Sequence, residues 1–300
     1  MISPSGTVKT IAGTGQKGTK VGPVTDGAQF DSPSAISVWR DWEWWPYPDP
    51  DDPDSVLYRN GNGTLVLFVA DTANHRIQKI TGMVQYNGSG EKNWKDVVVE
   101  CFSGSCADNN HDPGYADGSS EEARFDSPRG IVVSSDGSVF VADSNNHLIR
   151  TIDRWGKTRT IHGILSNTQV PHQGILRPCT SLFDHNESNL ACSKFFFPSG
   201  IALGVDEKSL LVTDRHRLYQ IDIIQGTTTI LAGTESEGDS DGKGSESSFN
   251  RPNAVTVTSD GTAYIADSIS CRIRRVFPSS LAVPNISCSD TLATIFRPSG

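Results

Sequence analysis

The sequence predicts an all-β protein assembled from repeated four-stranded antiparallel sheets. Three observations carry that expectation. A block ending in aspartate recurs four times, as Leu67-Phe-Val-Ala-Asp71, Val139-Phe-Val-Ala-Asp143, Leu210-Leu-Val-Thr-Asp214 and Ala263-Tyr-Ile-Ala-Asp267. A fixed set of companion blocks accompanies each copy, and self-similarity at this scale decides architecture before any single residue does. Glycine (28) and proline (16) together exceed one residue in seven of the 300, which suits short strands joined by tight turns.

Taken in order, each unit opens on a glycine-ended block: Val8-Lys-Thr-Ile-Ala-Gly13, Val97-Val-Val-Glu-Cys-Phe-Ser-Gly104, Thr158-Arg-Thr-Ile-His-Gly163 and Thr228-Thr-Ile-Leu-Ala-Gly233. A proline block follows: Phe30-Asp-Ser-Pro-Ser-Ala-Ile36, Phe125-Asp-Ser-Pro-Arg-Gly-Ile131, Phe195-Phe-Phe-Pro-Ser-Gly-Ile201 and Phe249-Asn-Arg-Pro-Asn-Ala-Val255. The aspartate block comes third. A basic-apolar block closes the unit: Arg76-Ile-Gln-Lys-Ile80, Leu148-Ile-Arg-Thr-Ile152, Leu218-Tyr-Gln-Ile221 and Arg272-Ile-Arg-Arg-Val276. The blocks are rich in Val, Ile, Thr and aromatics, the residues that fit a pleated surface. Asp136-Gly137 and Asp260-Gly261 read as hairpin turns between the second and third strands of their units.

The units span about 7–81, 97–153, 158–222 and 227–277, and a further one starts within 290–300 at Phe296-Arg-Pro-Ser-Gly300. The signature aspartates lie 72, 71 and 53 residues apart, and the shortest spacing is close to one four-stranded blade. Insertions at 39–62, 83–96 and 170–193 account for the longer spacings and are expected as loops on the rim or on one face. Four-stranded sheets that bury their aromatic wedges only against one another must stand side by side around an axis. The expected architecture is therefore a β-propeller of four blades plus the start of a fifth, a partial or truncated ring.

Local roles follow from residue type. Each signature aspartate enters a tight turn, where its carboxylate is expected to accept N–H bonds from that turn. Asn74 and Asn146 fall where positive φ is expected. Phe30, Phe125, Phe195 and Phe249 are expected to fill the wedges between blades, and Gly130 and Gly200 to let the innermost strand start close to the axis.

These residues resemble the NHL repeat family. The match is densest at Gly114-Tyr-Ala-Asp-Gly118, Ala123-Arg-Phe125, Pro128-Arg-Gly-Ile131 and Val141-Ala-Asp-Ser-Asn-Asn-His-Leu-Ile-Arg150, and Val69-Ala-Asp-Thr-Ala-Asn-His-Arg-Ile77 repeats the Asn-His pair. The resemblance covers roughly residues 7 to 277 outside the insertions. It implies a β-propeller, usually six-bladed and TolB-like, that acts as a binding platform; its members include RNA-binding and ubiquitin-ligase scaffolds, receptor-kinase ectodomains and secreted proteins, with a minority of lyase-type enzymes. The signature positions here are Asp71, Asn74, His75, Arg76, Asp143, Asn146, His147, Asp214, Asp267 and Arg272. Two units depart from the pattern. The third has Asp214-Arg-His-Arg-Leu218, a turn two residues shorter, and the fourth has Ser270-Cys271 in place of Asn-His.

Composition narrows the function classes. The net charge is −9, so the broad basic face that nucleic acid or an anionic membrane needs is not expected. No apolar run approaches the roughly 20 residues of a membrane span. The N-terminal residues 1–6 lack the basic and apolar regions of a signal peptide. No phosphate loop, Gly-x-Ser-x-Gly, His-Glu-x-x-His or Cys-x-x-Cys motif occurs.

Asp71 with His75 and Asp143 with His147 have the composition of a metal or acid–base pair, but a constellation stamped on successive units reads as architecture, since catalysis needs one converged site. His162, His172, His185 and His216 read as isolated surface or turn residues. The acidic loops 108–117 and 235–241 offer clustered oxygens for calcium, yet Asp26-Gly27, Asp117-Gly118 and Asp241-Gly242 recur at one repeat position, which favours turn chemistry. The first insertion carries Trp39, Trp42, Trp44, Trp45 and Tyr47, and Trp42, Trp44, Trp45 and Tyr47 form the candidate partner-binding patch; covering a blade edge is the alternative.

Six cysteines fall into three neighbouring pairs, Cys101 with Cys106, Cys179 with Cys192 and Cys271 with Cys288, which predict local disulfides, with free buried thiols as the alternative. Asn-x-Ser/Thr sequons stand at Asn62, Asn87, Asn186 and Asn285. Together these favour an extracellular or lumenal glycoprotein.

The expected function is a non-catalytic scaffold that binds a protein or other macromolecule, without a cofactor. The second reading is a gluconolactonase-like hydrolase or a metal-dependent lyase, which requires carboxylates or imidazoles to converge on the axis. The innermost strands, read as Ala35-Ile-Ser-Val38, Ile131-Val-Val133, Ile201-Ala-Leu203 and Ala254-Val-Thr-Val257, offer neither. RNA binding is a third reading, against which the acidic balance counts.

Overall fold

A computed structural model of the chain describes residues 6, 8–40, 47–49, 52–57, 63–86, 92–106, 112–163 and 195–277. Among them there is no α-helix, only 3₁₀ turns at Val24–Asp26, Thr72–Asn74 and Gly244–Glu246. In chain order the strands are β1 (Gly22–Pro23), β2 (Pro33–Arg40), β3 (Tyr47–Asp49), β4 (Asp52–Leu57), β5 (Gly63–Asp71), β6 (Arg76–Tyr86), β7 (Lys92–Ser103), β8 (Pro128–Val133), β9 (Val139–Asp143), β10 (Leu148–Ile152), β11 (Thr158–Gly163), β12 (Pro198–Leu203), β13 (Ser209–Asp214), β14 (Arg217–Asp222), β15 (Thr228–Gly233), β16 (Pro252–Val257), β17 (Ala263–Asp267) and β18 (Arg272–Val276).

They form four radial sheets. The first runs β2-β5-β6-β7, with β1 on its outer edge; the second is β8 to β11, the third β12 to β15 and the fourth β16 to β18. Every pairing is antiparallel between sequence neighbours, apart from β2 with β5 across the first insertion and β1 with β7. The glycine-ended blocks pair backward: Val97–Gly104 completes the sheet of Asp71, not the sheet of Asp143, so the sheets are offset by one strand from the units read in the sequence. The inner strands β2, β8, β12 and β16 stand side by side in that order. The described residues form four neighbouring blades of a β-propeller.

The wedges are where the repeats place them. Phe125 joins Val66, Phe68 and Ala70 of the first sheet to Val139, Val141 and Ile152 of the second. Phe195 joins Phe140, Ala142 and Ile149 to Leu210, Val212 and Ile221, and Phe249 joins Leu211 and Leu218 to Ala263 and Ile265. All three rings are fully buried, whereas Phe30 is partly buried beside Leu67, Val69 and Ile80. Strand alternation turns the opposite faces outward. Ile36 and Val38 alternate with the packed Ala35 and Trp39 and are 56% and 50% exposed. On the fourth sheet Ile273 is 75% exposed.

The first insertion differs from a plain loop. β3 and β4 pair within it as a separate hairpin. Trp39 lies in β2, packs at the interface of the first two sheets and donates Nε1–H to the Ser135 carbonyl at 3.2 Å, so it serves the blade interface. The second insertion lengthens β6 and β7 into one ladder, paired out to Tyr86 and Lys92. The third lies outside the described residues. The Asp-Gly hairpins close as expected, with Gly137 and Gly261 at φ of 86° and 85°.

Candidate functional site

The signature aspartates are fully buried clamps. Asp143 Oδ1 accepts the Asp126 N–H at 2.8 Å, and its Oδ2 accepts Asn146 Nδ2 at 2.9 Å and Arg150 at 2.7 Å. The Arg150 guanidinium is itself buried; it also donates to the Arg124 and Ala116 carbonyls and to Asp117, and lies 5.0 Å from the centroids of Phe125 and Tyr115. The fourth sheet repeats this with Arg274, which pairs with Asp267 at 3.2 Å, donates to the Ser248 and Ser240 carbonyls and to Asp241, and covers Phe249. In the first sheet Arg76 Nε reaches Asp71 at 3.1 Å, and Asn74 and Gln78 complete the set. Burial pushes the Asp143 carboxyl up to about 6, against the pull of Arg150.

Several sequence expectations change here. The backbone donors to each carboxylate come from the linker entering the same sheet, not from the aspartate's own turn: Asp31 to Asp71, Asp126 to Asp143, Phe196 and Phe197 to Asp214, and Asn250 to Asp267. Positive φ falls one residue after the asparagines, on His75 (50°) and His147 (60°), and likewise on Arg215 and Cys271. His75 Nδ1 accepts the Ser127 N–H at 3.0 Å, across to the second sheet. Arg272 pairs with Asp239 at 2.9 Å on the surface, so the partner of Asp267 is Arg274.

Two isolated histidines are interior. His162 is buried against Thr228 and His216 is buried in its turn, and burial lowers the pKa of both. Asp117 is bound by Arg150 and Thr160, and Asp241 by Arg274, so neither stands as a free cation ligand. Cys101 and Cys106 form a disulfide. Cys271 is exposed, with no disulfide partner among the described residues; Cys179, Cys192 and Cys288 lie outside them, as do His172, His185, Trp42, Trp44, Trp45 and the four sequon asparagines. Tyr47 lies in β3, paired with Leu57.

The residues missed in the sequence lie at the axis. Each inner strand shifts register directly after its proline, between Pro33 and Ala35, Pro128 and Ile131, Pro198 and Ile201, and Pro252 and Ala254. A bulge of this kind re-aims side chains out of the ladder. Ser34, Arg129, Ser199 and Asn253 consequently line one axial cleft of about 260 Å³, with Ile131, Ile201 and Val255 among its apolar walls. The strands approach closely there: a Cβ on Gly130 would stand 2.2 Å from the Ser199 carbonyl oxygen, and one on Gly200 2.7 Å from Ala254 Cα. The cleft lies toward the ends carrying the aspartate turns, since Thr72 donates to the Pro128 carbonyl at 2.7 Å and Ser144 to that of Pro198 at 2.5 Å.

Comparison with known proteins finds distant relatives. Protein SUPPRESSOR OF QUENCHING 1, chloroplastic, of Arabidopsis thaliana is 27% identical over 221 residues, covering 55% of this chain and 21% of that protein. Teneurin-m of Drosophila melanogaster is 27% identical over 225 residues, covering 72% of this chain and 8% of that protein. The chain thus spans about a fifth or less of the length of these two relatives. A solved structure of a protein of unknown function from Bacteroides thetaiotaomicron superposes with a TM-score of 0.42 at 13% identity, covering 89% of this chain and 74% of that one. The family model of the teneurin NHL domain matches residues 57–243, more than half of the chain. Repeats, sheet order and this match agree: the chain belongs to the teneurin NHL-domain family.

Proposed function

We propose that the chain is a non-catalytic binding platform that engages a protein partner through the face carrying the aspartate turns and the axial cleft. One observation carries the reading. The repeated Asp, Asn and Arg groups are spent on holding linkers and sheets together, while the side chains lining the cleft include no carboxylate or imidazole. A hydrolase or lyase acting at the axis needs such groups to move protons or hold a metal. Cleft and turns instead present Ser34, Ser199, Asn253, Arg129, Arg215 and Arg251, which suits recognition. The Cys101–Cys106 disulfide fits an oxidising compartment.

Photo-crosslinking tests this. A crosslinker at position 129 or 251 should capture a protein partner, and one at position 154 or 224, on the hairpins at the far end of the sheets, should not. Equal capture from both ends would sink the reading. So would hydrolysis of a lactone that is lost in Asn253→Ala.

A further inference from the structure

Resting on that reading, we infer that the axial cleft takes a carboxylate side chain from an acidic segment of the partner, with Arg129 as its counter-ion. The repeat position after each proline holds a small polar residue in three sheets and arginine only in the second. The bulge turns that position into the cleft, so Arg129 is the sole charged side chain among those lining it. Arg129 is exposed, and its guanidinium takes part in no ion pair or hydrogen bond among the described residues. A chain of net charge −9 has a surplus of carboxylates to offer such a group, yet those of the neighbouring linkers are already held. Asp31 pairs with Lys17 at 3.1 Å, and Asp126 accepts Asn145 Nδ2 and Ser127 Oγ.

Two further arginines stand near His216, outside the cleft lining, with the Glu237 carboxylate among them. Arg251 is exposed in the linker before β16 and Arg215 is exposed in the β13–β14 turn; after burial, they are among the groups that hold the His216 pKa down. The Arg215 guanidinium lies 5.0 Å from the Phe196 ring centroid, which keeps it on this face. The Asn253 amide and the walls of Ile131 and Ile201 complete a site for a carboxylate on a short apolar stem, while the Ser34 and Ser199 hydroxyls are held by the Arg129 and Pro252 carbonyls. A planar guanidinium takes a carboxylate in a two-pronged hydrogen bond, which a point charge does not.

The test is fluorescence anisotropy of a labelled deca-glutamate peptide titrated with the purified chain at low salt. Binding should weaken about tenfold or more in Arg129→Gln, by less in Arg251→Gln, and should not change in Arg154→Gln at the far end. Each variant changes an exposed residue, and an unaltered cooperative unfolding transition confirms its fold. A deca-thymidine strand tests for generic polyanion binding. No binding by the parent chain, equal binding by Arg129→Gln, or equally tight and Arg129-dependent binding of the DNA strand would each overturn the inference. Crosslinks still confined to the cleft face in that event would leave the platform reading standing; crosslinks on the far end would remove both.

Discussion

The second and third sheets solve one problem in two ways. Both bury a signature aspartate that grips the linker entering its own sheet. In the second sheet Arg150 neutralises that carboxylate; in the third the equivalent ladder position holds Tyr219, packed edge-on against Phe195 at 5.3 Å. Among the described residues Asp214 is hydrogen-bonded by backbone N–H groups only, from Phe196 at 3.0 Å and Phe197 at 2.6 Å, with Arg215 and His147 nearby. The third turn also lacks the hydroxyl that Thr72 and Ser144 supply to the next sheet, and Ser199 substitutes by donating to the Pro252 carbonyl at 3.0 Å. The linker grip is thus the invariant device of these repeats, and the buried cation is an addition that carries its own desolvation cost.

The largest test of that difference is to remove the cation. Arg150→Met leaves Asp143 buried without its counter-charge and strips donors from the Ala116 and Arg124 carbonyls. Urea unfolding should show a loss of about 3–5 kcal/mol, the range for breaking one side of a buried pair. Tyr219→Phe, at the matching position, removes only a long 3.5 Å contact to Arg217 and should cost less than about 1 kcal/mol. Equal losses would mean that Arg150 acts by packing and not by charge.

The comparison also assumes that the two sheets meet the axis alike. Gly130 and Gly200 sit at the same repeat position, where an added Cβ would stand 2.2 and 2.7 Å from the next inner strand. Replacing either by alanine should cost about 1–3 kcal/mol through overpacking. Ala254, the equivalent in the fourth sheet, is exposed, and Ala254→Gly should change stability by less than about 1 kcal/mol. A harmless Gly200→Ala would show that the third sheet stands further from the axis than the second.

The sequence announced the strands and the wedges because alternation and turn residues are local signals. Phe125, Phe195 and Phe249 needed only their spacing. What it hid depends on register. In an antiparallel ladder the residue opposite Asp143 is Leu148, and Arg150, two positions on, returns to the same face, so the ion pair is seen only once the pairing is known. The donors to each aspartate sit 40 residues upstream in the first sheet and 17 in the second and fourth, beyond any turn-based reading. The cleft was hidden for a related reason: the bulge after each proline makes Ser34, Arg129, Ser199 and Asn253 leave the alternation that strand reading assumes.

The subtlest test uses pH. Burial raises the Asp214 carboxyl, with the Phe197 and Phe196 N–H groups lowering it only in part. A carboxyl raised on folding is a penalty at neutral pH, because the folded state holds its charge less readily than the unfolded chain. As pH falls toward the folded value, the folded state takes up a proton before the unfolded state does, and the penalty fades. Asp214→Asn carries no such charge. The stability of the parent chain relative to Asp214→Asn should therefore rise as pH drops from about 7 toward about 4, measured by urea unfolding at each pH. Asp143 acts in the same direction through a folded value of about 6, so the parent curve alone does not isolate the third sheet and the difference curve does. A flat or falling difference would mean that the linker N–H groups, with the nearby Arg215 and His147, fully offset the burial of Asp214, so that its carboxyl is not raised on folding.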